Sequence, residues 1–297
     1  MAKNVPELPD VAVYLEALDA RITGRELRKL RLLNPFVLRT VEPGPAELSG
    51  KKVTGLRRIG KRIVLELEND LFVVIHLMIA GRFKWLAPGA KPPGKIALAA
   101  FELENGTLVL TEAGSKRRAS LHIIQGEEAL RALDPGGLEP LEIPYEAFRE
   151  ALTRERHTLK RTLTDPHVFA GIGNAYSDEI LHRARLSPVQ MTTNLNEEEL
   201  HRLYDSVRTT LIDWTDRLRA DAGTKFPEKV TAFRPEMAVH GRYNLPCPDC
   251  GSPIQRIVYA ENETNYCARC QTGGKLLADR ALSRLLNVDW PKSVDDL

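Results

Sequence analysis

The chain of 297 residues has no run of about 18 apolar residues, so no helical membrane span is read from it. It also lacks the basic start and apolar core of a secretory signal, having one lysine near its beginning. Net charge is nearly absent, since 42 lysines and arginines against 40 aspartates and glutamates leave +2. A nucleic-acid partner is therefore not implied by bulk charge. It has to be read from local clusters such as "KLRLLNPFVLR", "GLRRIGKR" and "SKRR", each of which alone is more simply a solvated face. Aromatics are scarce at 6%, and there is no internal repeat or low-complexity tract. Cysteine is limited to four residues in two CxxC pairs, and without an export signal such pairs point to metal before disulfide. What is present, 43% apolar and 28% charged residues, is the composition of an ordinary globular protein long enough for two domains. A cytoplasmic monomer is expected, associated with the nucleoid if the source is bacterial.

From Asp10 to about Ile22, apolar Val11, Leu15, Leu18 and Ile22 recur at helical spacing behind the start signal Pro9-Asp10, and Gly24 ends the helix. The period then changes. "RIVLELENDLFVVIHL" alternates Ile63, Leu65 and Leu67 before an Asn69-Asp70 turn, and Asn105-Gly106 separates two further strand-like runs. An antiparallel sandwich or barrel with a helix packed on it is predicted. "ALDPGGLEPLEIP" reads as a linker. Helices follow at Tyr145 to Thr153, Thr158 to Leu163 and Asn174 to Arg185. A long one starts at Asn196, which has Glu199 three residues on and Leu200, Leu203, Val207, Leu211, Trp214 and Leu218 along one face. "DAGTKFPEKVTAFRPE" breaks that period as a loop, and "KLLADRALSRLL" reads as a last helix.

Three constellations carry chemistry. Cys247-x2-Cys250-x16-Cys267-x2-Cys270 sets two thiolate knuckles at the spacing of a tetrahedral four-cysteine site with zinc as the ion. Four thiolates close the coordination sphere, so that zinc is structural and holds a ribbon too small for its own core. Gly171-Ile172-Gly173-Asn174 lies between helices, where glycines allow a tight turn and helix amides can face a phosphate; an ordinary turn is the competing reading. Lys160, Arg161, His182, Arg183 and Arg185 around it favour a nucleic-acid backbone. Pro6-Glu7 pairs a potential secondary amine with a carboxylate. A free proline nitrogen can attack an electrophilic sugar carbon to give an iminium ion while a carboxylate moves protons. Only an N-terminal proline has that amine, and the plainer reading is that Pro6 and Pro9 stiffen the entry to the first helix.

Together "PELPDV", "GKRIVLEL", "HLMIAGRF", "LKRTLTDPHVFAGIGNAYSDEIL" and "VHGRYNLPCPDCG…TNYCARCQ", in this order over most of the chain, resemble the formamidopyrimidine-DNA glycosylase / endonuclease VIII family. The resemblance implies an α+β fold: an N-terminal helix with an antiparallel β-sandwich over 1–138, a helical DNA-binding domain with a helix-two-turn-helix motif over 144–238, and a zinc ribbon over 239–275. A helical tail is expected over 276–297. It implies excision of an oxidised base from damaged duplex DNA, with the lesion flipped out of the stack, followed by β-elimination at the abasic site. The nucleophile would be Pro6, with Glu7 assisting sugar opening and Lys61 beside the lesion phosphate. Lys160, Asn174, Arg117 and His76 would contact DNA, and Cys247, Cys250, Cys267 and Cys270 would hold one zinc.

The sequence departs from the family pattern at several points. Pro6 follows Met-Ala-Lys-Asn-Val, so its amine is free only if translation starts at the Val5 codon or the chain is trimmed; otherwise the amine is lost. Asp10 stands where the family has glutamate. Arg117-Arg118-Ala119 replaces an Arg-Arg-Phe wedge, and alanine cannot stack between bases. Asn262, between Glu261 and Glu263, replaces a phosphate-binding arginine, and an acidic tip repels DNA. "DAGTKFPEKVTAF" and the tail containing Trp290 are the chain's own. Two other readings therefore stand beside an active glycosylase: a DNA-damage-binding protein of the same fold without chemistry, and a zinc-ribbon interaction protein with no nucleic acid.

Overall fold

The computed structural model describes residues 5–114, 116–228, 230, 234–259, 262–278 and 291–296. These fall into two compact units, a β unit of Val5–Pro135 with Trp214–Thr231 and a helical unit of Gly136–Asp213 with Ala232–Leu297.

In the β unit, α1 (Leu8–Ile22) starts two residues before the predicted Asp10, because Glu7 is the N-cap and Pro9 occupies the first turn, where a missing N–H costs nothing. Eight antiparallel strands follow: β1 (Glu26–Leu32), β2 (Lys51–Ile59), β3 (Arg62–Leu67), β4 (Leu71–His76), β5 (Gly81–Leu86), β6 (Ala97–Leu103), β7 (Gly106–Glu112) and β8 (Ser120–Gln125). Their order is β5-β7-β6-β1-β2-β3-β4-β8. The β1/β2 pairing that joins the halves is short, running through Glu26 with Lys52 and Leu27 with Lys51. Alternate side chains of both halves, including Leu30, Ile63, Val73, Phe101, Leu110 and Ile123, meet in one core that also takes Val11, Tyr14 and Leu18 of α1. The predicted sandwich with a helix packed on it is thus what forms. The Asn69-Asp70 turn carries both residues at positive φ, 64° and 54°, the twist that suits a two-residue hairpin. The opposite face of β3 and β4, with Val64, Phe72 and Val74, is covered by α2 (Glu127–Arg131) through Leu130.

The open edge of β8 is occupied. Leu38 bridges Leu121 in parallel, Arg39 N donates to Leu121 O at 2.8 Å, and Ile123 N donates to Thr40 Oγ1 at 2.9 Å.

The helical unit contains α3 (Tyr145–Thr153), α4 (Leu159–Thr164), α5 (Asn174–Arg183) and the first part of α6 (Glu197–Ala222), whose last turns belong to the β unit. The capping box read at Asn196 is present: Glu199 N donates to Asn196 Oδ1 at 2.9 Å and Asn196 N to Glu199 Oε2 at 3.1 Å. Helix α5 stops at Arg183, short of the predicted Arg185, which adopts φ 55°. The Pro/Gly-rich linker is not a free connector. Leu138 N and O bond to Val168 and Ala170, and Gly137 packs so closely that a Cβ there would lie 2.3 Å from Pro166 O. A two-stranded ribbon, β9 (Gln255–Tyr259) and β10 (Asn262–Tyr266), and α7 (Ala268–Thr272) complete the unit. Most of the predicted tail helix and Trp290 lie outside the described residues. Its described ends are not α-helical: Lys275 bridges Ser293, and Val294 packs with Tyr266 and Leu276.

Candidate active site and nucleic-acid contacts

The Pro6-Glu7 pair sits at the positive end of α1 and is buried, with Glu7 1% exposed. Glu7 N donates to Asp10 Oδ2 at 3.0 Å, so the aspartate that replaces the family's glutamate is used to cap the helix and fix the backbone of the pair. One turn on, Tyr14 is fully buried and its hydroxyl accepts from Phe83 N at 3.3 Å.

Lys61 lies in the β2–β3 turn, which Gly60 closes at φ 57°. Strand register then lines up Arg62, His76 and Ser120 across β3, β4 and β8. The outcome is a cationic edge. Burial, followed by the charges of Arg62, Lys61 and His122, holds the His76 imidazole down to about 4, so it is neutral at physiological pH. Burial and the charges of Arg62 and Arg39 lower His122 in the same way. The structure therefore brings Lys61 and His76, read separately from the sequence, near one another, and adds Arg62, His122 and Arg39. Their signal was faint, because strand pairing between distant segments, not local spacing, makes the cluster.

Arg117 donates to Lys95 O and is exposed. Behind it, fully buried Glu112 accepts from Arg118 N at 2.9 Å and from Ala119 N at 3.0 Å. Ala119 is 3% exposed and belongs to the core. The loop thus presents Arg117 and Arg118 to solvent together with Lys116, while Ala119 faces inward. Glu112 escaped the sequence reading, although an acid ending an otherwise apolar strand was a usable signal.

In the helical unit, Lys160 is 13% exposed and its ammonium is bound, 2.6 Å from Asp178 Oδ1 and 2.6 Å from Asn174 O. The other oxygen of Asp178 takes His240 Nδ1 at 2.7 Å and Asn265 N at 3.2 Å. The adjoining Glu179 accepts from Ala238, Val239 and His240 amides at 2.8–2.9 Å. Two consecutive buried acids on α5 therefore clamp the chain ahead of the ribbon and the ribbon itself. Asn174 opens α5 behind Gly173 and donates Nδ2 to Glu263 O at 2.8 Å. Lys160 and Asn174 are thus brought together, with the lysine charge already compensated. Glu263 spends its carboxylate on Arg256, 3.6 Å away, and on Asn265 Nδ2, while Glu261 lies outside the described residues. Asp178, Glu179 and His240 form a buried network that the sequence reading missed; the adjacent acids inside a helix were the hint.

The four cysteines converge, their sulfurs all within 4.8 Å of one another, with Cys250 and Cys267 at 3.4 Å and Cys247 and Cys270 at 3.9 Å. Burial pushes the Cys267 thiol up to about 12 and raises Cys270 as well, so a dication is what makes thiolates at these two positions tenable. Soft sulfur donors in a closed set of four fit zinc. His182 Nε2 lies 3.4 Å from Cys247 Sγ and supports the set from α5.

Comparison with known proteins agrees with this geometry. Residues 5–118 match the formamidopyrimidine-DNA glycosylase N-terminal domain, 137–219 the H2TH domain of the same enzymes, and 244–273 the zinc finger found in FPG and IleRS. The formamidopyrimidine-DNA glycosylase of Heliobacterium modesticaldum is 36% identical over 282 residues, covering 90% of this chain and all of that one. The chain belongs to the formamidopyrimidine-DNA glycosylase family. The Thermus thermophilus formamidopyrimidine-DNA glycosylase is 32% identical over 277 residues, spanning 91% of this chain and all of that protein. Among solved structures, the Lactococcus lactis Fpg in complex with DNA containing an abasic site superposes with a TM-score of 0.80 at 27% identity, over 90% of this chain and 99% of that one. The fold, one structural zinc on the four cysteines and DNA as partner follow from this membership. Among the described residues no helix is long and apolar enough to cross a membrane.

Proposed function

We propose that the protein is a base-excision DNA glycosylase that removes an oxidised or ring-opened base and then cuts the abasic strand by β-elimination. The observation that carries this is the Pro6-Glu7 pair, buried and fixed by Asp10 at the head of α1, in a chain of this family. Once Pro6 is the first residue, its nitrogen lone pair attacks the sugar C1′, the base leaves with the C1′–N bond electrons and takes up a proton, and Glu7 assists ring opening. The resulting iminium acidifies the C2′ hydrogen, and its loss expels the 3′ phosphate. Lys61 and His76, with Arg62 beside them, receive the phosphates near the lesion; Asn174 binds backbone from α5. The match to the N-terminal domain begins at Val5, one residue before Pro6, which supports a start at that codon.

The competing reading, a damage-binding protein without lyase chemistry, is favoured by the peptide bond that Pro6 makes with Val5. Borohydride trapping on an abasic duplex, followed by mass spectrometry of the adduct and of the N-terminus, decides between them. An adduct on Pro6 of a chain beginning at that residue is the expected result. No adduct from a chain that keeps Ala2 or Met1 refutes the proline mechanism. Glu7→Gln should abolish base release while abasic-DNA binding persists; unaltered release would remove Glu7 from the mechanism.

A further inference from the structure

We propose that Arg82 is a positioning residue for the reaction: its charge holds Asp10, and through Asp10 the Pro6-Glu7 pair, in the arrangement that base removal and strand cutting need. This deepens the glycosylase reading above and rests on it. Arg82 acts through a buried carboxylate rather than on the sugar.

Strand register sets its place. On the edge strand β5, Arg82 pairs with Thr111 and Gly81 with Glu112 of β7, and Thr111 Oγ1 donates to Arg82 O at 3.0 Å. The next residue, Phe83, gives its amide to the Tyr14 hydroxyl at 3.3 Å, which brings α1 against β5 one turn from Asp10. Carbonyls keep the guanidinium itself in place: Nε donates to Val230 O, and Nη1 to Gly81 O at 2.6 Å and to Ile79 O at 3.1 Å.

What surrounds this fixed cation is acidic and dry. Asp10 and Glu112 are each 1% exposed, Tyr14 is fully buried, and the charge of Arg82 bears on all three. Each carboxylate in turn holds a functional segment by its backbone: Asp10 accepts from Glu7 N, and Glu112 from Arg118 N and Ala119 N. Buried carboxylates are tenable when a cation is set beside them, so removing the charge of Arg82 loosens the acids and the amides they hold. The Glu7 backbone is among them, and a displacement of about 1 Å at a reacting group is enough to cost about 100-fold in rate.

The test follows single-turnover cutting of a duplex with a natural abasic site, beside affinity for the same duplex carrying a tetrahydrofuran site. Arg82→Gln keeps a donor for the carbonyls and removes the charge. It is expected to keep its fold by circular dichroism, to cut about tenfold more slowly at saturating protein and to lose less than about threefold in affinity. Arg82→Lys keeps the charge and should cut within about threefold of wild type. In an Asp10→Asn background, where the charge to be balanced is gone, Arg82→Gln should slow cutting by less than about twofold. An arginine that merely packs gives losses that multiply, and that result overturns the assignment. So does an Arg82→Gln protein that cuts at the wild-type rate, an Arg82→Lys protein as slow as Arg82→Gln, or an affinity loss as large as the rate loss. Should Arg82→Gln alone not fold, the double variant with Asp10→Asn takes its place: a folded protein cutting within about twofold of Asp10→Asn is expected, and an unfolded one overturns the assignment. Each of these failures leaves the glycosylase reading intact, whereas a wild-type protein that leaves the abasic strand uncut overturns both.

Discussion

Asp178→Asn tests whether one buried carboxylate holds the helical unit together. In the native chain that group takes an ammonium at 2.6 Å, an imidazole nitrogen at 2.7 Å and the Asn265 amide at 3.2 Å, from three separate parts of the unit. The amide replacement still offers an acceptor oxygen, but it leaves the Lys160 charge, only 13% exposed, without a counter-charge. Breaking a buried pair by removing one partner costs about 3–5 kcal/mol, and the retained acceptor places the expectation near 3. At about 2–4 °C per kcal/mol, a calorimetric scan of the zinc-loaded protein should show the transition of the helical unit fall by about 6–12 °C. Adding Lys160→Met removes the stranded charge, so the double variant should recover part of that loss. A single variant melting within about 2 °C of wild type, or a double variant less stable than the single, would refute the reasoning.

Glu112→Ala strands the Arg118 and Ala119 amides and should destabilise the β unit by about 2 kcal/mol, read by urea unfolding. Unchanged stability would mean that the Arg117 loop does not depend on this acid. His76 titrates near 4 when folded and near 6.5 when unfolded, so between those values the unfolded chain binds more protons and stability falls as pH drops. The full effect is about 3 kcal/mol below pH 4, and His76→Gln should flatten that part of the stability profile. The native protein should carry one zinc per chain by mass spectrometry of the metal; a chelator should expose four titratable thiols and abolish tight DNA binding together. Retained binding after complete removal would detach the ribbon from DNA recognition.

Much of this was legible because it is local. The helix Tyr145–Thr153, the Asn69-Asp70 turn, the Asn196 capping box and the CxxC pairs are all set by neighbours within a few residues, and they stand where the sequence placed them. The rest depends on register between distant strands and helices. Nothing near His122 in sequence says that it will lie with Arg39 and Lys61 around His76. The ion pair of Lys160 was not legible, because its counter-ion sits one helix away at Asp178. Ala119 read as an alanine in place of a stacking ring, and its burial was not legible, because the Glu112 carboxylate that accepts from its amide lies seven residues back.

The strip at Leu38–Thr40 bears on a hazard of another kind. Strand β8, "SLHIIQ", has no formal charge and no proline, and Leu121, Ile123 and Ile124 give it strong β propensity. Bare, its outer edge would be a template on which a second chain could add a strand. The bonds from Arg39 to Leu121 and from Ile123 to Thr40 occupy that template within the molecule. Substitutions that loosen this strip, such as Thr40→Pro, should reveal themselves as self-association during refolding, with fibrillar aggregates rather than a lowered melting temperature as the first symptom.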